Sequence, residues 1–115
     1  EERRIYGGER LLDASHVQIT LGRIVAERRA LDTLLFAIAD RLDRGLACSD
    51  EGATLKLLAS ELAVRATSEA VQLRGWRGID ARYESEKRLR DARQTTIYEG
   101  TSQVQKIVIG RTVLK

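Results

Sequence analysis

The spacing of the aliphatic residues constrains this chain most. Between Val17 and Leu42, apolar residues recur every three or four positions, interrupted only at Arg28, as they do along one face of an α-helix. The 115 residues contain no proline, which would interrupt a helix, and runs of β-branched residues are short. The sequence therefore predicts an all-α protein.

Four helices are expected in this single domain of residues 1–115. Their predicted extents are His16 to Gly45, Ser49 to Gly75, Asp80 to Ala92, and from Thr101 or Ser102 to the end. The last start rests on the Ser102-x-x-Gln105 pattern of a capping box. Three substantial helices and a short one predict an up-and-down, four-helix-bundle type of domain that is one helix short, with a groove for another chain to cover.

Composition excludes several classes of function. The net charge is +3, but acids and bases alternate along the predicted helices, which argues against nucleic-acid binding. The single cysteine, Cys48, excludes an intrachain disulfide, and the single histidine, His16, has no ligand cluster at metal spacing. Without a long apolar run, we expect no membrane span and a soluble protein of the cytoplasm, or of the mitochondrial matrix in a eukaryote.

The stretch from Ile97 to Gln105 contains the best candidate for chemistry. It places Glu99 directly before a flexible glycine, Gly100, and a predicted helix start. A carboxylate fixed at this point and withdrawn from water is suited to removing a proton next to a carbonyl group. The alternative is that Glu99 only favours the positive end of the last helix.

Two segments carry a resemblance to a known family. Leu89-Arg90-Asp91-Ala92-Arg93, followed by Ile97-Tyr98-Glu99-Gly100-Thr101-Ser102, resembles the carboxy-terminal signature of flavin-dependent acyl-CoA dehydrogenases. The similarity continues upstream more weakly and covers nearly the whole chain. It implies that the chain is the carboxy-terminal helical domain of a larger flavoenzyme and begins near the end of that domain's first helix.

The resemblance assigns roles to individual residues. Glu99 corresponds to the base of the short- and medium-chain enzymes, which removes the α-proton while the β-hydrogen leaves as hydride to FAD. The remaining residues correspond to positions that contact the flavin: Gly100, Thr101, Ser102, Gln72, Gly75, Arg3 and Tyr6. The pairing of Arg90 and Asp91 is expected to be buried and to hold the short helix and the loop in place beneath Glu99; the alternative is contact with a nucleotide phosphate.

One residue departs from the family pattern. Gln72 and Gly75 match the motif Gln-x-x-Gly-Gly-x-Gly, but Trp76 occupies the place of its second glycine. A glycine used for close approach of the backbone cannot become tryptophan without changing the site. Trp76 could stack on an adenine or pack in a subunit interface.

The resemblance also implies partners. These are an acyl-CoA substrate, an electron-transfer acceptor protein, the missing amino-terminal and β domains, and further subunits of a homo- or hetero-oligomer. The competing hypothesis is a non-catalytic helical assembly module of the same superfamily that binds no flavin. A flavin oxidase or monooxygenase on the same scaffold is a third possibility.

Overall fold

A computed structural model describes residues 3–5 and 7–114, so Tyr6 lies outside the described residues. Its elements are a 3₁₀ helix at Leu11–Asp13 and the α-helices α1 (Ser15–Asp43), α2 (Ser49–Arg74), α3 (Trp76–Ile79), α4 (Ser85–Thr95) and α5 (Ser102–Val113). The described residues include no β-strand, only an isolated bridge between Arg4 and Arg10. The predicted all-α class is confirmed.

Helix α2 is the centre of the domain. It packs against α1, α3, α4 and α5, whereas α1 contacts only α2 and the 3₁₀ helix among the described elements. The buried residues of α2 recur at helical spacing and include Ala53, Leu57 and Ser60. The small side chains of this face allow neighbouring helices to approach closely, and α2 thereby fixes the start of α5 relative to α4.

The bundle leaves much apolar surface uncovered. On α1 only Val17 and Ile38 are buried, whereas Phe36 is 72% exposed. The described part measures 57 × 27 × 25 Å because the long helices α1 and α2 extend beyond the shorter ones. This open arrangement leaves apolar surface that a further helix could cover, and the missing helix stays a prediction. Within the described residues, no helix combines the length and hydropathy that a bilayer crossing requires.

Two local predictions need correction. The predicted helices left a loop between Gly75 and Asp80, but Trp76–Ile79 forms the short helix α3. The predicted burial of Arg90 and Asp91 is wrong: their side chains are 70% and 61% exposed, and they pair with Glu86 and Lys87 one turn earlier on α4. Spacing of four residues favours such pairs on the solvent face of a helix, where burial is unnecessary.

Candidate functional site

The Glu99 loop, residues 97–101, connects α4 to α5. Its closing bond runs from the Ser102 amide to the Thr96 carbonyl oxygen, 3.0 Å away. Thr101 is the N-cap of α5, and its hydroxyl accepts from the Val104 amide at 3.3 Å. The predicted helix start is therefore confirmed, with Thr101 rather than Ser102 as the capping residue.

The loop holds two consecutive residues in the left-handed region. Glu99 has φ 52° and Gly100 has φ 88°. For a residue other than glycine this conformation costs about 1–2 kcal/mol, so other contacts must stabilise it. The Gln105 side-chain amide donates to the Glu99 carbonyl oxygen at 3.1 Å and to the Gly100 carbonyl oxygen at 3.2 Å. Lys56 of α2 donates to the same Gly100 oxygen.

The Glu99 side chain is exposed and has no hydrogen bond or ion pair to the described residues. Its neighbours Ile97 and Tyr98 are 60% and 49% exposed. The described residues therefore fix the backbone of Glu99 but do not form the apolar pocket that a base withdrawn from water requires. The apolar side chains beside Glu99 are available to a covering group from elsewhere.

The surroundings of the Ser102 hydroxyl bear on whether a polar group could bind at the start of α5. Its side chain is 8% exposed, and its hydroxyl oxygen has no hydrogen-bond partner in the described part of the chain. Such a buried hydroxyl is costly unless a partner reaches it. It can donate to or accept from a ligand, and the positive end of α5 favours a polar or anionic one.

The α2–α3 turn, residues 72–78, brings Arg3, Gln72 and Gly75 together. The Arg3 guanidinium donates to the Leu73 carbonyl oxygen and lies 3.5 Å from that of Gln72. A Cβ atom at Gly75 would lie 3.2 Å from the guanidinium, and Gly75 has φ 60°. The positive φ therefore favours glycine here, and a Cβ would press on the end of the Arg3 side chain. The Gln72 side chain itself is exposed.

A cavity of about 510 Å³ opens beside this turn. Its lining includes the cationic side chains of Arg3, Arg4, Arg74 and Arg77 and the rings of Trp76 and Tyr83. Trp76 is 61% exposed, meets Tyr83 edge to face with 6.2 Å between ring centroids, and has the Arg77 guanidinium 5.5 Å from its own centroid. Arginine and aromatic faces together suit an anion that carries a flat ring.

The polar groups at the Glu99 loop and at the α2–α3 turn thus fit two parts of a flavin dinucleotide, its polar ring edge and its phosphates with an aromatic ring. The buried Ser102 hydroxyl suits a polar edge, and the arginine-lined cavity suits phosphates and an aromatic ring. The structure does not place Glu99 in this cavity: the residues assigned to the cofactor fall into two groups, one at each of the two turns. No three or more potential metal ligands cluster among the described residues, and His16 therefore belongs to no such cluster.

The sequence did not reveal which side chains hydrogen-bond to the carbonyl groups of the Glu99 loop. Lys56 and Gln105 bind its carbonyl groups, yet Gln105 was expected only to complete a capping box. One signal was present for Lys56. It lies between leucines on a helix face that also carries the buried Ala53 and Ser60, where a lysine is unusual.

Comparison with known proteins gives consistent matches over the whole chain. Residues 2–114 match the family described as "Acyl-CoA dehydrogenase, C-terminal domain". An acyl-CoA dehydrogenase of Bacillus subtilis is 34% identical over 113 residues, which are 98% of this chain and 30% of that protein. The caffeyl-CoA reductase-Etf complex subunit CarC of Acetobacterium woodii is 33% identical over 115 residues, or 100% of this chain and 30% of that protein.

The solved structures agree with the sequence matches. Butyryl-CoA dehydrogenase from Megasphaera elsdenii superposes with a TM-score of 0.91 at 32% identity, over 99% of this chain and 30% of that one. The chain therefore spans about 30% of the length of the relatives that it matches.

Proposed function

The chain belongs to the acyl-CoA dehydrogenase family, and we propose that residues 1–115 form the carboxy-terminal helical domain of a flavin-dependent enzyme that desaturates acyl-CoA thioesters. The observation that carries this proposal is the backbone conformation of Glu99 together with the exposure of its side chain. Its backbone is fixed in a left-handed conformation before α5, while its side chain is exposed and unpaired within the described residues. A carboxylate that is positioned but has no partner suits a base that awaits a substrate.

The proposed reaction removes two hydrogens from neighbouring carbons. The Glu99 carboxylate accepts the proton on the α-carbon of the thioester, whose carbonyl group makes that proton acidic. The electron pair of the C–H bond forms the α,β double bond as the β-hydrogen departs. FAD, when bound, supplies the acceptor for that β-hydrogen as hydride. Since Ile97 and Tyr98 flank Glu99, they would exclude water once the substrate covers them.

The residues that would hold FAD lie at the two turns. Gly100, Thr101 and Ser102 would meet its polar ring edge or phosphates at the start of α5. Arg3, Gln72 and Gly75, with the arginines beside them, would contact the phosphates of the adenosine portion.

The proposal includes other chains and domains. Because this chain covers 30% of its relatives, activity would require an amino-terminal and a β domain, which would also cover the exposed apolar face of α1. An electron-transfer protein would reoxidise the flavin, and the Acetobacterium woodii relative is named as a subunit of a complex with Etf. A homo- or hetero-oligomer would bury further apolar surface.

A Glu99→Gln variant of the full-length protein tests the assignment. Under anaerobic conditions, we expect flavin reduction by butanoyl-CoA or octanoyl-CoA to slow by roughly 10²–10⁴-fold, because the amide cannot accept the proton. Flavin content and melting temperature should stay at wild-type values, since the exposed side chain has no hydrogen bond or ion pair to the described residues. Glu84→Gln is a matched control, because Glu84 is an exposed glutamate that pairs with Arg88 on α4. Reduction of the Glu99→Gln enzyme at the wild-type rate would rule out the proposed base.

Trp76 supports a second candidate, a helical assembly module that binds no flavin. The exposed indole occupies a position where the family pattern has glycine, and a large exposed aromatic side chain favours a protein interface. Flavin absorption of the full-length protein distinguishes this candidate from the dehydrogenase. A full-length protein that assembles but lacks flavin absorption, even after incubation with FAD, would support the module.

A further inference from the structure

The Gly100 carbonyl oxygen accepts hydrogen bonds from two helices. Lys56 Nζ of α2 donates at 2.5 Å, and Gln105 Nε2 of α5 donates at 3.2 Å. Within the described residues, Lys56 is the only side chain from outside residues 94–105 that hydrogen-bonds to the Glu99 loop. This bond joins residues 44 positions apart and ties the loop to the central helix.

Lys56 differs from the other lysines that the structure describes. Lys87 pairs with Asp91 and Lys106 pairs with Glu61 at the surface, whereas the half-buried Lys56 pairs with no carboxylate among the described residues. Removing an ammonium group from water and fixing its long side chain are both unfavourable. A charge-assisted bond to a carbonyl oxygen offsets part of this cost.

The bond acts at the strained point of the loop. Glu99 and Gly100 both have positive φ angles, and the peptide group that follows them carries the oxygen bound by Lys56. Without this donor, Gln105 would be the remaining side chain that binds the Glu99 and Gly100 carbonyl groups and opposes relaxation of Glu99 towards the more favourable negative φ region. Such relaxation would change the direction in which the Glu99 side chain leaves the backbone.

We propose that Lys56 is a positioning residue for Glu99, because its ammonium group holds the Gly100 carbonyl and thereby keeps the Glu99 backbone in the left-handed conformation. This inference rests on the proposed function of Glu99 as the base. Lys56 acts through the backbone and has no direct role in proton transfer. It thus contributes to orientation, to which proton abstraction is sensitive.

The test compares Lys56→Met, which keeps the length and loses the donor, with Lys56→Arg, which keeps a charged donor. Both are made in the FAD-loaded full-length protein, with Lys87→Met as the control for loss of a lysine at the surface. We expect Lys56→Met to slow flavin reduction by acyl-CoA at least tenfold with KM and flavin content within twofold of wild type. Lys56→Arg should retain most of the rate, and Lys87→Met all of it.

Hydrogen–deuterium exchange provides a second readout that does not depend on activity. Amides of residues 97–103 should exchange about tenfold faster in Lys56→Met, while the buried amides of α2 keep their protection. Unchanged exchange and rate in Lys56→Met would overturn the proposal. Equal loss of rate in Lys56→Arg and Lys56→Met, with faster exchange throughout α2 and α5, would also overturn it, because Lys56 would then be needed only for folding.

A double variant distinguishes failure of this inference from failure of the proposed function. If Lys56 acts through Glu99, then Lys56→Met should add little to the defect of Glu99→Gln, whereas independent roles would multiply the two losses. A slow Glu99→Gln enzyme beside a normal Lys56→Met enzyme overturns only the role of Lys56. A normal Glu99→Gln enzyme overturns the proposed base and, with it, this role for Lys56.

Discussion

The Glu99 loop and the α2–α3 turn share one backbone feature, a glycine with positive φ, but differ in their surroundings. Each contains a glycine with positive φ beside the end of a helix, Gly100 in the first and Gly75 in the second. Side chains that donate to carbonyl groups hold both: Lys56 and Gln105 at the loop, and Arg3 at the turn. The loop segment from Ile97 to Ser102 resembles the family signature throughout, whereas the turn contains Trp76, which departs from the family motif.

The difference shows what a motif specifies. At the loop, the positive φ of Gly100 favours glycine, and a Cβ there would also displace the end of the Gln105 side chain. At the turn, glycines remain at the motif positions 75 and 78, and the intervening Trp76 presents an exposed ring beside a cationic cavity. One substituted side chain can therefore change the surface that a ligand or another subunit meets, even where the glycines around it remain.

The largest expected effect comes from Gly78→Ala in the α2–α3 turn. A Cβ atom there would lie 2.2 Å from the Val71 carbonyl oxygen, so α3 would have to separate from α2. We expect a loss of about 3 kcal/mol in the free energy of unfolding, measured by urea denaturation with circular dichroism. Gly52→Ala is the matched control on α2, where a Cβ meets nothing within 4 Å, and it should be neutral or stabilising. Similar stabilities for the two variants would show that the close packing of this turn is unimportant.

Gly100→Ala tests the loop in the same way, with a smaller expected effect. The new Cβ would lie 2.6 Å from Gln105 Nε2, but that atom ends a flexible side chain that can move. The positive φ adds strain, and together we expect about 1–2 kcal/mol of destabilisation by the same measurement. The flavin-reduction rate should fall as well, because the displaced Gln105 amide would release the Glu99 carbonyl. A stable variant with the wild-type rate would mean that the left-handed conformation is not needed.

Acid should weaken the region after the α2–α3 turn slightly. Hydrogen bonds from Arg82 lower the pKa of Asp80 from 3.8 to about 2. Because the folded-state pKa is depressed, the stabilisation is fully present above about pH 4 and is lost as the pH falls towards 2. Asp80→Asn should therefore melt slightly below wild type at pH 5, and the difference should shrink as the pH falls from 4 through 2. A difference of the same size at pH 5 and at pH 2 would assign the effect to packing instead of charge.

Much of the fold was predictable from local patterns. Helix α1 begins at Ser15 and α2 at Ser49, within one residue of the predicted starts, because apolar periodicity reports directly on the face that a helix buries. The start of α5 followed from the capping residues. Helix α3 was missed because four residues are too few to show a period, and its existence depends on packing of Gly78 against α2.

The position of the candidate base before α5 was predictable, but its environment was not. The sequence placed Glu99 before a helix and proposed its role by resemblance, and that role remains a prediction. Its exposure within the described residues was not foreseen, because burial depends on whatever covers Ile97 and Tyr98. For Arg90 and Asp91 the expected burial was wrong, because their partners lie one turn away on the solvent side of α4.

The sequence alone determined the four longer helices and the resemblance to the family, because each shows as a pattern of residues a few positions apart. Only the tertiary structure showed that Lys56 reaches Gly100 across 44 positions and that Arg3 reaches Leu73 across 70. Contacts at such separations depend on how whole helices pack, and no local pattern specifies them. The residues that hold the Glu99 loop and the α2–α3 turn are therefore visible only in the folded chain.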